Sequence, residues 1–107
     1  MIDVSILEEL KSFAGVEACA AILEAFWDGA DDLVAAMQAA HAAGDLEGLG
    51  RAAHSLKGSA LNVGANEAAE IARSLERPGP NAGEELARLR LVLGQTRPLL
   101  DRALLAA

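Results

Sequence analysis

From Val16 onward the apolar side chains fall at Val16, Cys19, Leu23, Phe26, Ala30, Leu33, Met37 and Ala40, in unbroken steps of three and four residues. At 3.6 residues per turn this spacing gathers one stripe along one face of a helix, whereas a strand needs alternation every second residue. The chain is thereby committed to a long helix that must bury one side against other helices. The rhythm returns at Leu46, Leu49, Ala53, Leu56, Ala60 and Val63, again at Ala68, Ile71, Ala72 and Leu75, and last at Leu86, Leu89, Leu93, Thr96 and Leu100. Composition agrees: 52% of the residues are apolar but only 3% aromatic, with no Tyr, and alanine and leucine are helix formers.

The punctuation divides these stripes. Ser5 and Glu8 fit a capping box opening a short first helix, and Gly15 releases the chain before the long one. Gly44 supplies a left-handed stop and Asp45 a cap for the next helix, which Gly64 ends. The Arg77-Pro78-Gly79-Pro80-Asn81 turn breaks the fourth, and Asn81 with Glu84 resembles another cap. Pro98 has no amide hydrogen for the Gly94 carbonyl, so a kink or a separate C-terminal turn is expected there. Helices are therefore expected over residues 5–14, 16–43, 45–63, 66–76 and 82–105. Short connections favour antiparallel neighbours, so the expected fold is all-α: an up-down-up-down four-helix bundle with an extra short N-terminal helix, one domain over 107 residues.

Bulk properties exclude several functions. A formal charge of −7 argues against nucleic acid, which is held by clustered Lys and Arg. Cys19 has no partner for a disulfide, and the first ten residues lack the basic-then-apolar pattern of a leader, so a cytoplasmic location is expected. Glu24, Asp28, Asp31 and Asp32 interrupt the apolar runs well short of a bilayer span. Metal chemistry finds no ligand set, since a di-metal bundle needs Glu-x-x-His pairs and the chain offers Arg51-Ala52-Ala53-His54. No metal or cofactor is expected. Neither a nucleophile elbow nor a phosphate-binding loop nor a kinase signature is present, so no self-sufficient enzyme is expected.

His54 is where chemistry concentrates. It lies one step off the stripe of Ala53 and Leu56 and points sideways to outward. Its neighbours at three and four residues are Gly50, Arg51, Lys57 and Gly58, two cations and two residues without side chains. A glycine inside a helix costs roughly 1 kcal/mol relative to alanine, so something should compensate. Gly50 and Gly58 would leave the imidazole standing over bare backbone on both sides, open to a bulky partner. A neutral imidazole is a competent nucleophile toward phosphorus, and Lys57 can offset the charge that accumulates in phosphoryl transfer. His41, near a helix end, is read as solvated, and Trp27 as a partly buried packing residue.

The segment Ala53-His54-Ser55-Leu56-Lys57-Gly58-Ser59-Ala60-Leu61-Asn62-Val63-Gly64 resembles the signature of histidine-containing phosphotransfer (HPt) domains. That signature has a His, a hydrophobic residue two positions on, Lys-Gly directly after, and a closing Gly ten residues past the His. The resemblance implies a four-helix bundle that accepts phosphoryl from the aspartate of a receiver domain and passes it to another receiver. It joins a hybrid sensor histidine kinase to a response regulator in a multistep relay, without kinase activity of its own. His54 would be phosphorylated, Lys57 would steady the phosphoryl group, Gly58 would give the receiver room, and Gly64 matches the glycine where the helix ends. Mg²⁺ would sit in the receiver. Receivers in this family dock on an apolar patch around the His, for which Arg51, Leu61, Leu33, Ala36 and Met37 are candidates, with a core role favoured for Leu33 and Met37.

Three other readings compete. The dimerisation domain of a sensor kinase follows its His with an acid, where this chain has Ser55. The N-terminal phosphoacceptor domain of a chemotaxis-type kinase carries a similar His-x-x-Lys-Gly segment but is fused to a catalytic domain, so a free-standing, monomeric carrier is preferred. A degenerate bundle that binds partners without carrying phosphoryl is disfavoured by the intact His54, Lys57 and Gly58.

Overall fold

The computed structural model describes residues 2–106, and among these the only regular elements are five helices. They are α1 (Val4–Ala14), α2 (Val16–Ala42), α3 (Leu46–Asn62), α4 (Asn66–Leu75) and α5 (Ala82–Leu105). Each of α2 to α5 packs on its chain neighbour and α5 closes against α2, which makes the four-helix ring of an elongated bundle measuring 45 × 19 × 17 Å. Helix α1 lies against α2 and α5. It is tied down at both ends: the Asp3 amide donates to the Gly64 carbonyl at 2.8 Å, and Lys11 Nζ donates to the Ala103 and Ala106 carbonyls at 3.0 and 2.8 Å.

The stripes become the core. Cys19, Leu23, Phe26, Ala30 and Met37 of α2, Leu49, Ala53, Leu56 and Ala60 of α3, Ile71 and Leu75 of α4, and Leu86, Leu89, Thr96 and Leu100 of α5 are all buried. Each leucine so removed from water contributes about 1.5–3 kcal/mol. Burial also pushes the Cys19 thiol pKa up, which keeps it in the inert protonated form. Trp27 is more deeply buried than expected. It meets Phe26 edge to face, ring centroids 4.8 Å apart, with the Arg97 guanidinium 5.4 Å from its own ring centroid, and its indole N–H has no partner among the described residues.

The connections follow their sequence signals at Gly44 and Gly64, where φ is +71° and +78°, and at Asp45, whose carboxylate accepts from the Gly48 amide at 2.9 Å. Several expectations are corrected. The N-cap of α1 is Asp3, not Ser5. Asp3 Oδ1 accepts from the Ser5 amide at 3.0 Å and from the Ser5 hydroxyl at 2.6 Å, and a charged acceptor prevails over a hydroxyl. The Asn81 side chain makes no capping bond to α5. That helix runs through Pro98 as one element, with no separate C-terminal turn. Val16 and Leu46 are 48% and 55% exposed because both open a helix, where the stripe extends past the reach of its neighbours. On α2 the buried position is Val34, with Leu33 only half-buried beside it.

Candidate functional site

Helix α3 holds its orientation through Leu49, Ala53, Leu56 and Ala60, none of which is exposed. That anchoring turns the His54 imidazole outward, where the side chain is 73% exposed. The sequence placed it correctly.

What faces the ring comes from another helix. Glu76 is the residue on which α4 ends, its amide still donating to the Ala72 and Arg73 carbonyls. Its carboxylate hydrogen-bonds His54 Nδ1 through Oε1 and receives Lys57 Nζ at 2.8 Å on Oε1 and 3.1 Å on Oε2. Lys57 and Glu76 are both half-sheltered, with side chains 23% and 21% exposed. Hydrogen bonding from Lys57, and next from His54, holds the Glu76 carboxyl below its ordinary value of 4.5, so it stays ionised.

An ionised carboxylate only accepts, so the neutral imidazole must place its hydrogen on Nδ1. The ring's other nitrogen, Nε2, then carries the lone pair. It has no protein partner among the described residues. The ring borders an open cavity of about 630 Å³ lined by Leu46, Glu47, Gly50, Arg51, His54, Ser55 and Glu76.

The neighbours expected around His54 divide. Adding a Cβ at Gly58 meets nothing within 4 Å, so this side is open as anticipated. Gly50 does line the open cavity, but its Cβ direction is closed: the residue is buried, and a Cβ there would lie 2.6 Å from the Glu76 carbonyl oxygen. Gly64 is buried at a left-handed φ, and a Cβ there would overlap the Asp3 carbonyl. Lys57 is not a free cation awaiting phosphate but is already paired with Glu76. Arg51 is exposed and paired with Glu47 at 2.8 Å. Among the docking candidates, Met37 is wholly buried and cannot contact a partner. Leu33 is half-buried, Ala36 is exposed, and Leu61 is 48% exposed. His41 is exposed, as expected of a solvated residue, and its ring lies by Gly83 of α5, where an added Cβ would come within 3.2 Å of it.

Two residues of the site were missed. Leu46, read as core, lines the cavity beside His54. Glu76 went unnoticed although a signal existed: α3 and α4 form a hairpin about Gly64, with His54 ten residues before it and Glu76 twelve after, so the two fall near the same level.

Among the described residues no cluster of three or more His, Cys, Asp or Glu side chains could hold a metal ion, and no helix is long and apolar enough to cross a membrane. The Hpt domain family matches residues 21–103, which takes in nearly all of the four-helix ring and leaves α1 outside. The chain belongs to the Hpt domain family, whose members carry phosphoryl groups on a histidine in phosphorelays and interact with receiver domains. Neither the curated proteins nor the solved structures contain a match.

Proposed function

We propose that this protein is a phosphoryl carrier in a multistep His–Asp relay, accepting phosphoryl from a receiver aspartate on His54 Nε2 and delivering it to a second receiver. The observation that carries the reading is the exposed imidazole whose Nδ1 is engaged by Glu76, since this leaves the nucleophilic lone pair on the nitrogen with no protein partner.

In the forward step the Nε2 lone pair attacks phosphorus. The N–P bond forms as the bond from phosphorus to the aspartyl oxygen breaks, and the aspartate leaves as a carboxylate. No proton needs to move, because Nδ1 keeps its hydrogen and the ring becomes cationic against the Glu76 carboxylate. Lys57 lies one turn from His54 and exchanges part of its hold on Glu76 for the phosphoryl oxygens, offsetting charge as it accumulates. Delivery is the reverse step toward a different aspartate. Mg²⁺ belongs to the receiver in this scheme, and the carrier supplies no metal, no cofactor and no kinase activity. Gly58 gives the receiver clearance, while Leu46, Arg51, Ser55 and Leu61 surround its approach. The carrier works as a monomer in the cytoplasm.

The test is labelling. On mixing with ATP, a hybrid kinase and its receiver, the protein acquires phosphate that is acid-labile and base-stable, which separates phosphohistidine from phosphoserine. His54→Gln keeps the helical circular dichroism spectrum and loses the label; a mutant that still labels overturns the assignment.

A further inference from the structure

Gly50 sits on α3 one turn before His54 and turns a buried face to the end of α4. A methyl group built on it would lie 2.6 Å from the Glu76 carbonyl oxygen, 3.4 Å from the carbonyl carbon and 3.8 Å from the Glu76 Cα. These are backbone atoms, so no rotamer change relieves the overlap, and Glu76 itself would have to move. Glycine is disfavoured in the middle of a helix, so this position holds one against helix propensity. The residue it admits is the one whose carboxylate engages His54 and Lys57.

We infer that Gly50 is a positioning residue for phosphoryl transfer. Its missing side chain seats the Glu76 backbone against α3, and that seating brings the carboxylate to Nδ1 and keeps the lone pair on Nε2. The inference rests on His54 as the phosphoryl acceptor and adds the device that orients the ring. Gly58 provides the internal control: it stands at the same spacing on the other side of His54, and a Cβ there touches nothing.

Two readouts on the full chain test it: the His54 tautomer from ¹⁵N chemical shifts, and the rate of phosphoryl uptake from a phosphorylated receiver. Gly50→Ala displaces Glu76, shifts the ring from the Nδ1–H form toward a mixture of tautomers, and slows uptake by about tenfold or more. Gly58→Ala leaves the tautomer unchanged. In a Glu76→Ala background, adding Gly50→Ala changes the rate by less than about twofold, because the group it acts through is gone. A purely structural glycine would lower the thermal midpoint while leaving the tautomer as it was.

An unchanged tautomer and rate in Gly50→Ala overturn the inference, and so does an equal rate loss in both backgrounds. If Gly50→Ala does not fold, the wild-type protein decides, since a nuclear Overhauser contact between the Gly50 and Glu76 Hα protons is expected and its absence overturns the proposal. Each of these failures leaves His54 as acceptor untouched, because that assignment stands or falls with the label on His54→Gln.

Discussion

Gly50 and Gly58 occupy matching places, each four residues from His54 on the same helix, yet they do opposite things. One is pressed against the backbone of α4 and the other looks onto open space. Their difference separates two requirements of a phosphoryl carrier. The ring must be held from behind, so that one nitrogen is fixed as donor, and it must be bare in front, so that a receiver can reach the other. A glycine serves both ends, by admitting a neighbouring backbone in the first case and by admitting solvent and partner in the second.

Stability should break the symmetry most strongly. Gly50→Val forces a branched side chain into the Glu76 backbone, and overpacking of this kind costs about 1–3 kcal/mol. Gly58→Ala meets nothing and replaces a poor helix former with a good one, so it should stabilise by about 0.5–1 kcal/mol. Thermal unfolding of the two variants should therefore bracket the wild type, with midpoints displaced by roughly 4–8 °C per kcal/mol in a domain of this size. If both midpoints move the same way, the two glycines are not the distinct elements described above.

Exchange with receivers sharpens the contrast from the front. Gly58→Leu keeps the fold, since its side chain extends into solvent, but it occupies the approach to Nε2. Transfer from a phosphorylated receiver should slow by about tenfold, equivalent to about 1.4 kcal/mol, while the His54 tautomer stays as it is. Stopped-flow or quench-flow transfer rates check this. An unaltered rate would remove the steric account of Gly58.

The division between what the sequence revealed and what it withheld follows the range of the interactions. His54, Lys57 and Gly58 were legible because neighbours at three and four residues are set by helix geometry alone. Met37, Leu56 and Leu75 were legible as core because a stripe on one helix must meet stripes on others. Glu76, and with it the second role of Gly50, depends on the register between α3 and α4, which a repeating pattern on either helix leaves open. Leu46 and Val16 failed for a related reason: periodicity says which face a residue shares, not whether a neighbouring helix extends far enough to cover it. Lys57 was recognised as a residue but not in its resting state, since nothing on its own helix announces the carboxylate that holds it.

The smallest effect lies behind the ring and appears in acid. Lys57, then His54, holds the Glu76 pKa below its ordinary 4.5, so the folded state binds that proton more weakly than the unfolded chain does. Glu76 therefore contributes stability that is fully present above pH 4.5 and is lost as the pH falls through the lower folded value. Glu76→Gln removes this contribution. The gap in urea midpoint between wild type and variant should close progressively as the pH falls below 4.5. At Gly58, where no ionisable partner meets the backbone, the gap between wild type and Gly58→Ala should not depend on pH across the same range. A Glu76→Gln gap that persists unchanged in acid would show that the carboxylate gains nothing from Lys57 and His54 on folding, and that the support behind the ring is the seated backbone alone.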